Sequence, residues 1–401
     1  MSSARYAQAA IVLGTEVNGI AVIRSLGRLG VRCAAIRAPT RGDHTARSRY
    51  LAFTHSVTRD ATDEELLSAV RAAATRLGGN GPTVLMPTTD RYAEFLSRNL
   101  GALADGFFPC CPDPATADAF LDKWKTAQVC LDNGILIPKT ACPTTADTLA
   151  SAGAEMRYPV IVKPRYTYGT DFPGKNAIID DATGLVRFFG AGSLLGKCVI
   201  QEIIPSGDGD ILVTATYSGK DGRVRAIYSG RKIRQFLPDY GATCFGVSER
   251  HPALEDASRR FLDNLGYRGF AALEFSRSRA DGRAYFLELN TRTYYHNQLF
   301  ADAGVDLTQI AYLDLTRHHP TAVPGQPTQE DGIVWLDFRR DFQSMRIKRR
   351  AGRITIGQWL RSIATARSFA IWNWRDPFPF ACACAWRWAD MIRNLLRRLA
   401  R

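Results

Sequence analysis

The first hundred residues alternate between short apolar runs and longer stretches with helical spacing. The run AAIVL at 9–13 precedes a helical pattern, which leads into a second apolar run, VRCAAI at 31–36. A third run, TVLMP at 83–87, precedes another helical pattern. A strand–helix–strand order favours a parallel sheet. Residues 1–111 are therefore predicted to form an open, Rossmann-like α/β domain whose ligand-binding edge lies above its strands.

The central part of the chain predicts one amphipathic helix followed by several strands. Apolar residues keep helical spacing over Asp118–Asn133. The run VIVKP then predicts a strand that ends at Lys163, because Pro164 lacks the N–H that a strand pair needs. The stretch 166–174 is rich in glycine, threonine and aromatic residues and predicts a loop. Both an ordinary hairpin loop and a flap over a nucleotide fit this composition.

Two later apolar runs, GFAALEF at 269–275 and AYFLELN at 284–290, predict a β-hairpin because a short turn with Asp and Gly separates them. Pairing of these strands would bring Glu274 beside Glu288. Two neighbouring acids on apolar strands repel each other unless a cation lies between them. Alternation along the second strand predicts one face that carries Phe286, Glu288, Asn290 and Arg292, with Leu287 and Leu289 opposite.

This row of side chains combines a carboxylate, a carboxamide and a guanidinium. Mg²⁺ in proteins typically takes one or two carboxylates and completes its shell with phosphate oxygens and water, and an arginine can balance the charge of phosphoryl transfer. The row therefore suits a metal-bound polyphosphate, although a solvent-facing strand with ordinary polar residues gives the same pattern. Lys163, at the end of its strand, is placed to contact phosphates. A solvated helix face is the simpler explanation of Lys123.

In the order E…ELNTR, this segment resembles the metal and catalytic segment of the ATP-grasp ligases, and further motifs extend the resemblance over about residues 118–317. The resemblance implies that Mg²⁺ is held by Glu274, Glu288 and Asn290 and that Arg292 is catalytic. It also implies an ATP site formed by Lys123, Lys163, Gln201, Glu202, Ile204, Asp210 and Lys232.

Within this implied ATP site, the three lysines would contact phosphates and the segment QEII at 201–204 would offer backbone groups to adenine. Asp210 would bind the ribose hydroxyls, and Asp208 remains an alternative to it. Arg231 and Arg234 remain alternatives to Lys232 as the third phosphate ligand.

The same resemblance implies the fold and the reaction. The expected architecture combines α/β and α+β parts, with an N-terminal domain over 1–111, an ATP-grasp domain over 112–318 and a basic, Trp-rich accessory segment over 319–401. The layout is similar to the D-aspartate ligase-like and carbamoyl-phosphate-synthase-like members, which implies a carboxylate–amine ligase that uses ATP and Mg²⁺, with Mn²⁺ as an alternative metal. The implied substrates are a small carboxylate and an amine, such as amino acids or peptides, and a homodimer is left open. A nucleotide-binding protein without ligase activity is less favoured, since ATP binding alone would not need Arg292.

The composition adds a distinct C-terminal region to this picture. The chain has 401 residues, 46% of them hydrophobic, and a net charge of +13, which is typical of a soluble globular protein apart from its basic charge. From Glu330 to Arg401, 15 arginines and lysines stand against 6 acidic residues, so a net charge of +9 and six of the seven tryptophans fall in this stretch. Three interpretations compete: a segment packed on the catalytic domain, which is favoured somewhat, a surface that lies on anionic lipid, and a site for an acidic substrate.

Other features bear on location and partners. The N-terminus lacks a secretory signal pattern, and no apolar run reaches the length of a membrane span. The nine cysteines have neither a CxxC motif nor zinc-site spacing, which favours reduced thiols in a cytoplasm. Peripheral contact with the inner face of a membrane is left open. No RNP, KH or helix-turn-helix pattern supports a nucleic-acid partner.

Overall fold

The computed structural model describes residues 7–39, 44–166, 172–174, 176–190, 193–238, 241–316 and 328–399, and in the last helix it describes the side chains only as far as residue 388 and at Arg393. The described strands form three sheets. They are β1 (Ala10–Leu13), β2 (Cys33–Arg37), β3 (Leu51–Ser56), β4 (Thr83–Pro87), β5 (Phe107–Pro109), β6 (Thr140–Ala141), β7 (Val160–Pro164), β8 (Ala177–Ile179), β9 (Cys198–Glu202), β10 (Ile211–Ser218), β11 (Val224–Phe236), β12 (Ala242–Ser248), β13 (Gly269–Arg277), β14 (Ala284–Asn290), β15 (Val334–Leu336) and β16 (Ser368–Phe369).

Helices pack against these sheets. They are α1 (Val17–Leu29), α2 (Asp63–Leu77), α3 (Asp90–Arg98), α4 (Leu100–Leu103), α5 (Pro114–Leu121), α6 (Lys123–Asp132), α7 (Ala146–Glu155), α8 (Ala182–Phe189), α9 (Pro252–Asn264), α10 (Asn297–Asp302), α11 (Leu307–Leu315), α12 (Phe338–Arg350), α13 (Ile356–Ile363) and α14 (Phe378–Leu399), together with a 3₁₀ turn, η1 (Thr45–Arg47). Among the described residues, no helix is both long and apolar enough to cross a membrane.

The first sheet is parallel, with the strand order β3-β2-β1-β4-β5. In its central strand, Ala10 and Val12 pack in one core with α1, while Ile11 and Leu13 pack in a second core with α2 and α3. Burial on both faces explains why the strand is a continuous apolar run in the sequence. The predicted parallel α/β arrangement is therefore confirmed, and the carboxyl ends of β1 and β4 lie side by side at one edge of the sheet.

The second sheet is small and antiparallel, with the order β6-β9-β7-β8. Val162 on β7 and Ile200 on β9 pack against α7 and α8. Because successive strand residues point to opposite faces, Lys163 and Gln201 lie on the other face of this sheet. That face is turned away from the helices and is available to a ligand.

The third sheet has the order β14-β13-β10-β11-β12-β15-β16. Its neighbours pair antiparallel as far as β15, and β16 joins β15 in parallel. Residues after 328 thus extend the same sheet, and Trp335 on β15 is buried beside Tyr295 and His296. The predicted boundary at 318/319 lies outside the described residues.

The single helix predicted over Asp118–Asn133 is wrong. Two helices, α5 and α6, meet at Asp122, whose backbone is extended with φ −90° and ψ 111°. The reason is a helix cap, because the Asp122 carboxylate accepts the N–H of Trp124 at 2.9 Å. Arg165 holds the same carboxylate from outside the helix, donating from Nε to its two oxygens at 3.0 and 3.1 Å. Lys123 is consequently the first residue of α6.

The predicted face of β14 is also wrong in part. Glu274 and Glu288 pair as expected from the hairpin, but a β-bulge at Leu287 interrupts the alternation. The bulge places Phe286 in the same apolar core as Leu289. Phe286 therefore does not belong to the polar row, which begins at Glu288.

Candidate functional site

The hairpin of β13 and β14 carries the two acidic residues that the sequence singles out. Glu274 and Glu288 lie opposite each other on the two strands. Glu274 is buried, and Lys232 on β11 donates from Nζ to its Oε2 at 2.6 Å. The hydroxyl of Tyr294 donates to the other carboxylate oxygen. A positively charged side chain therefore lies beside the two paired carboxylates, which would otherwise repel each other.

The electrostatics of this pair favour a further cation. Burial raises the pKa of Glu274, Lys232 offsets part of that rise, and the charge of Glu288 adds to it. A cation between the two carboxylates would stabilise both as anions. Among the described residues, no three His, Cys, Asp or Glu side chains form a metal cluster. A metal here would instead use the two carboxylates, the Asn290 carboxamide and ligand oxygens, which are the donors that suit Mg²⁺.

Arg292 lies immediately beyond this row and is held on two sides. Its Nη2 donates to Asn290 Oδ1 at 2.9 Å, and its Nε donates to Asp90 Oδ1 at 2.9 Å. Burial disfavours the charge of the Arg292 guanidinium, but Asp90 and Glu288 outweigh this effect and raise its pKa. Asn290 in turn donates from Nδ2 to Glu288 Oε1 at 3.3 Å. The carboxamide therefore links the guanidinium to the acid pair.

Asp90 is a member of the site that the sequence analysis did not identify. It begins α3, directly after the carboxyl end of β4, with Thr89 as the helix cap. A signal was present in the sequence PTTD at 87–90, because polar residues at the carboxyl end of a parallel strand often contact ligands. Through Asp90, the first sheet contributes directly to the site on the third sheet.

The opposite wall of the site is the open face of the second sheet. Lys163 Nζ donates to Gln201 Oε1 at 3.0 Å, and Gln201 Nε2 donates to Thr140 Oγ1 at 3.0 Å. A cleft separates this wall from β14. Its polar lining residues are Asp90, Lys123, Thr126, Thr140, Lys163, Gln201, Glu288, Asn290 and Thr291, and its apolar lining residues are Phe120, Leu121, Ala127, Ile137, Val199, Phe286, Leu287 and Leu289.

Lys123 reaches this cleft because of the cap at Asp122. The Lys123 N–H donates to the carbonyl of Arg165 at 3.0 Å, and its Nζ lies 3.4 Å from the same oxygen. Arg165 also forms an ion pair with Asp122, so the start of α6 is fixed to the chain just beyond β7. Five of the predicted site residues thus line a single cleft: Lys123, Lys163, Gln201, Glu288 and Asn290.

The three basic residues near the end of β11 have different partners. Lys232 bonds Glu274, whereas Arg231 pairs with Glu249 at 2.9 Å. Arg234 donates to both carboxylate oxygens of Asp341 on α12, at 2.7 and 2.8 Å. Of these three, Lys232 is the one whose side chain adjoins the acid pair.

Two other predicted ATP ligands, Glu202 and Ile204, are not among the residues that line the cleft. Glu202 forms an ion pair with Arg157 at 2.9 Å, and its backbone N–H is bonded to the carbonyl of Lys139. Ile204 is buried. The adenine contacts predicted for Gln201, Glu202 and Ile204 involve backbone groups and remain predictions.

The two candidate ribose acids are both engaged by basic residues. Asp210 accepts from Arg279 Nε at 2.6 Å, and Arg277 lies 3.5 Å away. Burial raises the pKa of Asp210, but these arginines and the Gly207 N–H outweigh it, and the net pKa is lowered. Asp208 bonds Lys348 of α12. Most of the predicted flap over 166–174 lies outside the described residues.

Comparisons with known proteins relate this geometry to enzymes. No family model matches the sequence. The D-aspartate ligase of Enterococcus faecium (strain Aus0004) is 23% identical over 342 residues, which span 77% of this chain and 77% of the relative. The Campylobacter jejuni biotin carboxylase complex with β-γ-ATP has a TM-score of 0.64 at 15% identity, covering 81% of this chain and 74% of that chain. The biotin carboxylase domain dimer of Hydrogenobacter thermophilus 2-oxoglutarate carboxylase, with MgADP, ADP and bicarbonate, has a TM-score of 0.59 at 16% identity. This match covers 81% of this chain and 73% of the carboxylase chain. These solved structures share the fold of this chain.

Proposed function

We propose that this chain is an ATP-dependent ligase with the ATP-grasp fold and that it joins the carboxylate of one small molecule to the amine of another. The products would be an amide, ADP and phosphate. The observation that carries the proposal is the pairing of Glu274 with Glu288, followed by Asn290 and Arg292, across a cleft from Lys163.

In this proposal, Glu274, Glu288 and Asn290 would hold Mg²⁺, which when bound neutralises phosphate charge and orients the phosphate oxygens. Lys163 and Lys123 would contact the phosphates as point charges. The MgADP bound in the related carboxylase domain supports the choice of nucleotide and metal. We expect Mn²⁺ to replace Mg²⁺, since oxygen ligands suit both ions.

The reaction would have two steps. A carboxylate oxygen of the first substrate attacks the γ-phosphorus, and the bond from that phosphorus to the β-phosphate oxygen breaks, which gives ADP and an acyl phosphate. The amine nitrogen then attacks the acyl carbon, phosphate leaves, and the nitrogen loses a proton. Arg292, oriented by Asp90 and Asn290, would stabilise the negative charge that develops in both steps. Because the acyl group passes directly between substrates, catalysis would rest on positioning and electrostatics.

The proposed substrates are argued from the reaction type and from the similarity to a curated relative. The similarity to a D-aspartate ligase supports an amino acid such as aspartate as the amine, with an amino-acid or peptide carboxylate as its partner. The related carboxylase domain is a dimer, which supports a homodimer as a further expectation. We place the reaction in the cytoplasm, where ATP is available, and expect no nucleic-acid partner.

The proposal is tested by ADP release from the purified full chain with ATP and Mg²⁺, against a panel of amino acids, small carboxylates and peptides. We expect release to depend on a carboxylate and an amine together. Hydroxylamine added in place of the amine should trap the acyl phosphate as a hydroxamate, detectable by mass spectrometry. Arg292→Ala serves as the matched control, because it should remove the hydroxamate while leaving the fold intact.

The main alternative is a nucleotide-binding protein that does not ligate. It predicts saturable ATP binding in calorimetry, no ADP release with any pair of substrates, and no hydroxamate. That combination of results would overturn the ligase proposal.

A further inference from the structure

The end of the chain leaves several large aromatic side chains in contact with solvent. Trp374, Phe378 and Trp388 are 84%, 61% and 64% exposed, whereas Trp335 and Trp359 from the same basic region are buried. An exposed indole or phenyl ring keeps a large apolar area in water, and such rings are usually covered by a partner when several occur together. This stretch has the character of a contact surface.

Two of the exposed aromatic residues, Phe378 and Trp388, lie on one side of α14, whereas Phe380 and Trp386, which are also exposed, lie elsewhere around the helix. Phe378, Ala381, Ala385 and Trp388 follow one another at helical spacing and all are exposed. Pro379, in the first turn, is buried, and α14 contacts η1. In the sequence, the same spacing continues with Ile392, Leu395 and Leu399. The spacing in the sequence therefore predicts one apolar side along a helix that is about 33 Å long at 1.5 Å per residue.

The charged residues of this helix are mostly basic. Between Phe378 and Leu399 the sequence has four arginines and one aspartate, and Arg375 precedes the helix. A helix with one apolar side, tryptophan near the middle and arginines among its polar positions has the composition of helices that lie in the interface of anionic membranes. The four arginines also agree with the finding that, among the described residues, no helix is long and apolar enough to cross a membrane.

The helix is fixed to the body of the protein at its start. Asp376 is fully buried and accepts hydrogen bonds from Arg24 Nε at 3.0 Å, Ser48 Oγ at 2.8 Å and the Arg49 N–H at 2.9 Å. These three donors belong to α1 and to the chain after η1. The helix begins two residues later, so its exposed side has a defined direction relative to the first sheet.

We infer that α14 binds an anionic lipid surface, with its apolar side in the headgroup region and its arginines against lipid phosphates. A second copy of the chain is a poorer occupant, because pairing of two such helices would bring arginines together with only one aspartate per helix to balance them. An anionic surface complements the charge and covers the aromatic rings at once. This inference is independent of the ligase proposal.

The test is flotation of the full chain with vesicles of phosphatidylcholine alone and of phosphatidylcholine mixed with phosphatidylglycerol. We expect flotation with the mixed vesicles, a blue shift of tryptophan fluorescence, and release by salt. The variant W374A/F378A/W388A should bind at least about tenfold more weakly, and R375E/R387E should lose binding that depends on anionic lipid. The matched control L131A/V186A/L360A removes three exposed apolar side chains elsewhere and should bind like the wild type.

Three results would overturn the inference. One is no flotation with either vesicle, and another is equal binding to neutral and anionic vesicles. The third is a concentration-dependent dimer in analytical ultracentrifugation that disappears in W374A/F378A/W388A, since a second copy would then cover the helix. If circular dichroism shows that W374A/F378A/W388A is unfolded, vesicle binding by R375E/R387E tests the inference instead. Both of its substitutions are at exposed positions and should leave the fold intact.

Discussion

At the scale of single residues, the charged groups of the site are oriented by other protein groups. Arg292 is held between Asp90 and Asn290, Lys163 is bonded to Gln201, and Lys232 to Glu274. Ordering these long side chains in advance reduces the entropy lost when a ligand binds. Motif order in the sequence identified most of these residues, but not their partners. Asp90 and Arg292 are 202 residues apart, so only the fold brings them together.

Glu288→Gln tests the metal assignment. The glutamine keeps the shape of the side chain but removes a negative charge that Mg²⁺ would need, so we expect ADP release to fall at least about hundredfold with little change in melting temperature. Glu64→Gln, at an exposed position of α2, is the matched control and should retain full activity. Normal turnover in Glu288→Gln would show that this residue is a surface residue of the strand.

Lys163→Ala and Arg292→Ala separate nucleotide binding from chemistry. Loss of the Lys163 contact should weaken ATP binding about tenfold or more, because hydrogen bonds to charged groups are among the stronger ones. Arg292→Ala should bind ATP nearly as well but lower kcat by about 10²–10³-fold, as expected for a contact made mainly in the transition state. Calorimetry and single-turnover kinetics measure the two effects. An equal loss of ATP affinity in both variants would contradict the assigned roles.

At the scale of elements, hydrophobic periodicity in the sequence was sufficient to predict a strand or hairpin wherever neighbouring residues determine it. The strand at 83–87 has the predicted bounds, and the two acids pair across the hairpin. The strand predicted to end at Lys163 continues through Pro164, which pairs with Cys198 on β9. The break at Asp122 depends on Arg165, and the bulge at Leu287 depends on core packing under β14. These features arise from contacts that hydrophobic periodicity does not encode. The predicted fold, which rested on several motifs in order, is confirmed by the solved structures that share it.

The contribution of β15 to the core can be tested by mutation. This strand pairs with β12 in the third sheet, although the two strands are far apart in the sequence. Trp335 on β15 is fully buried, so Trp335→Ala should lower the free energy of unfolding by about 3–5 kcal/mol. Trp388→Ala removes the same side chain from an exposed position and should change stability by less than about 0.5 kcal/mol. Chemical denaturation measures both variants. Equal, small effects would mean that β15 is not part of the core.

At the scale of the whole molecule, residues near the two ends of the described chain are in contact. Arg24 on α1 and Asp376 before α14 are separated by 352 residues, and their side chains are 1% and 0% exposed. Arg24 Nη2 also donates to the carbonyl of Ile371, and Ser48 Oγ and the Arg49 N–H share the same carboxylate. A sequence pattern could not reveal this pair, because nothing near either residue marks it as buried. The pair joins the first sheet to the C-terminal region and so couples the folding of the two.

The last prediction concerns this ion pair. Asp376→Asn keeps the shape of the side chain but leaves the Arg24 charge buried without its counter-ion, so we expect the free energy of unfolding to fall by about 3–5 kcal/mol. Glu155→Gln breaks an exposed pair with Lys139 and should cost no more than about 1 kcal/mol. The double variant Arg24→Met/Asp376→Leu should recover part of the loss, because it removes both charges, while the hydroxyl of Ser48 and the N–H of Arg49 still lack their acceptor. Chemical denaturation of the four proteins measures these differences. A cost in Asp376→Asn as small as that of Glu155→Gln would mean that the two ends fold independently, and that α14 is attached as a tail without a fixed direction.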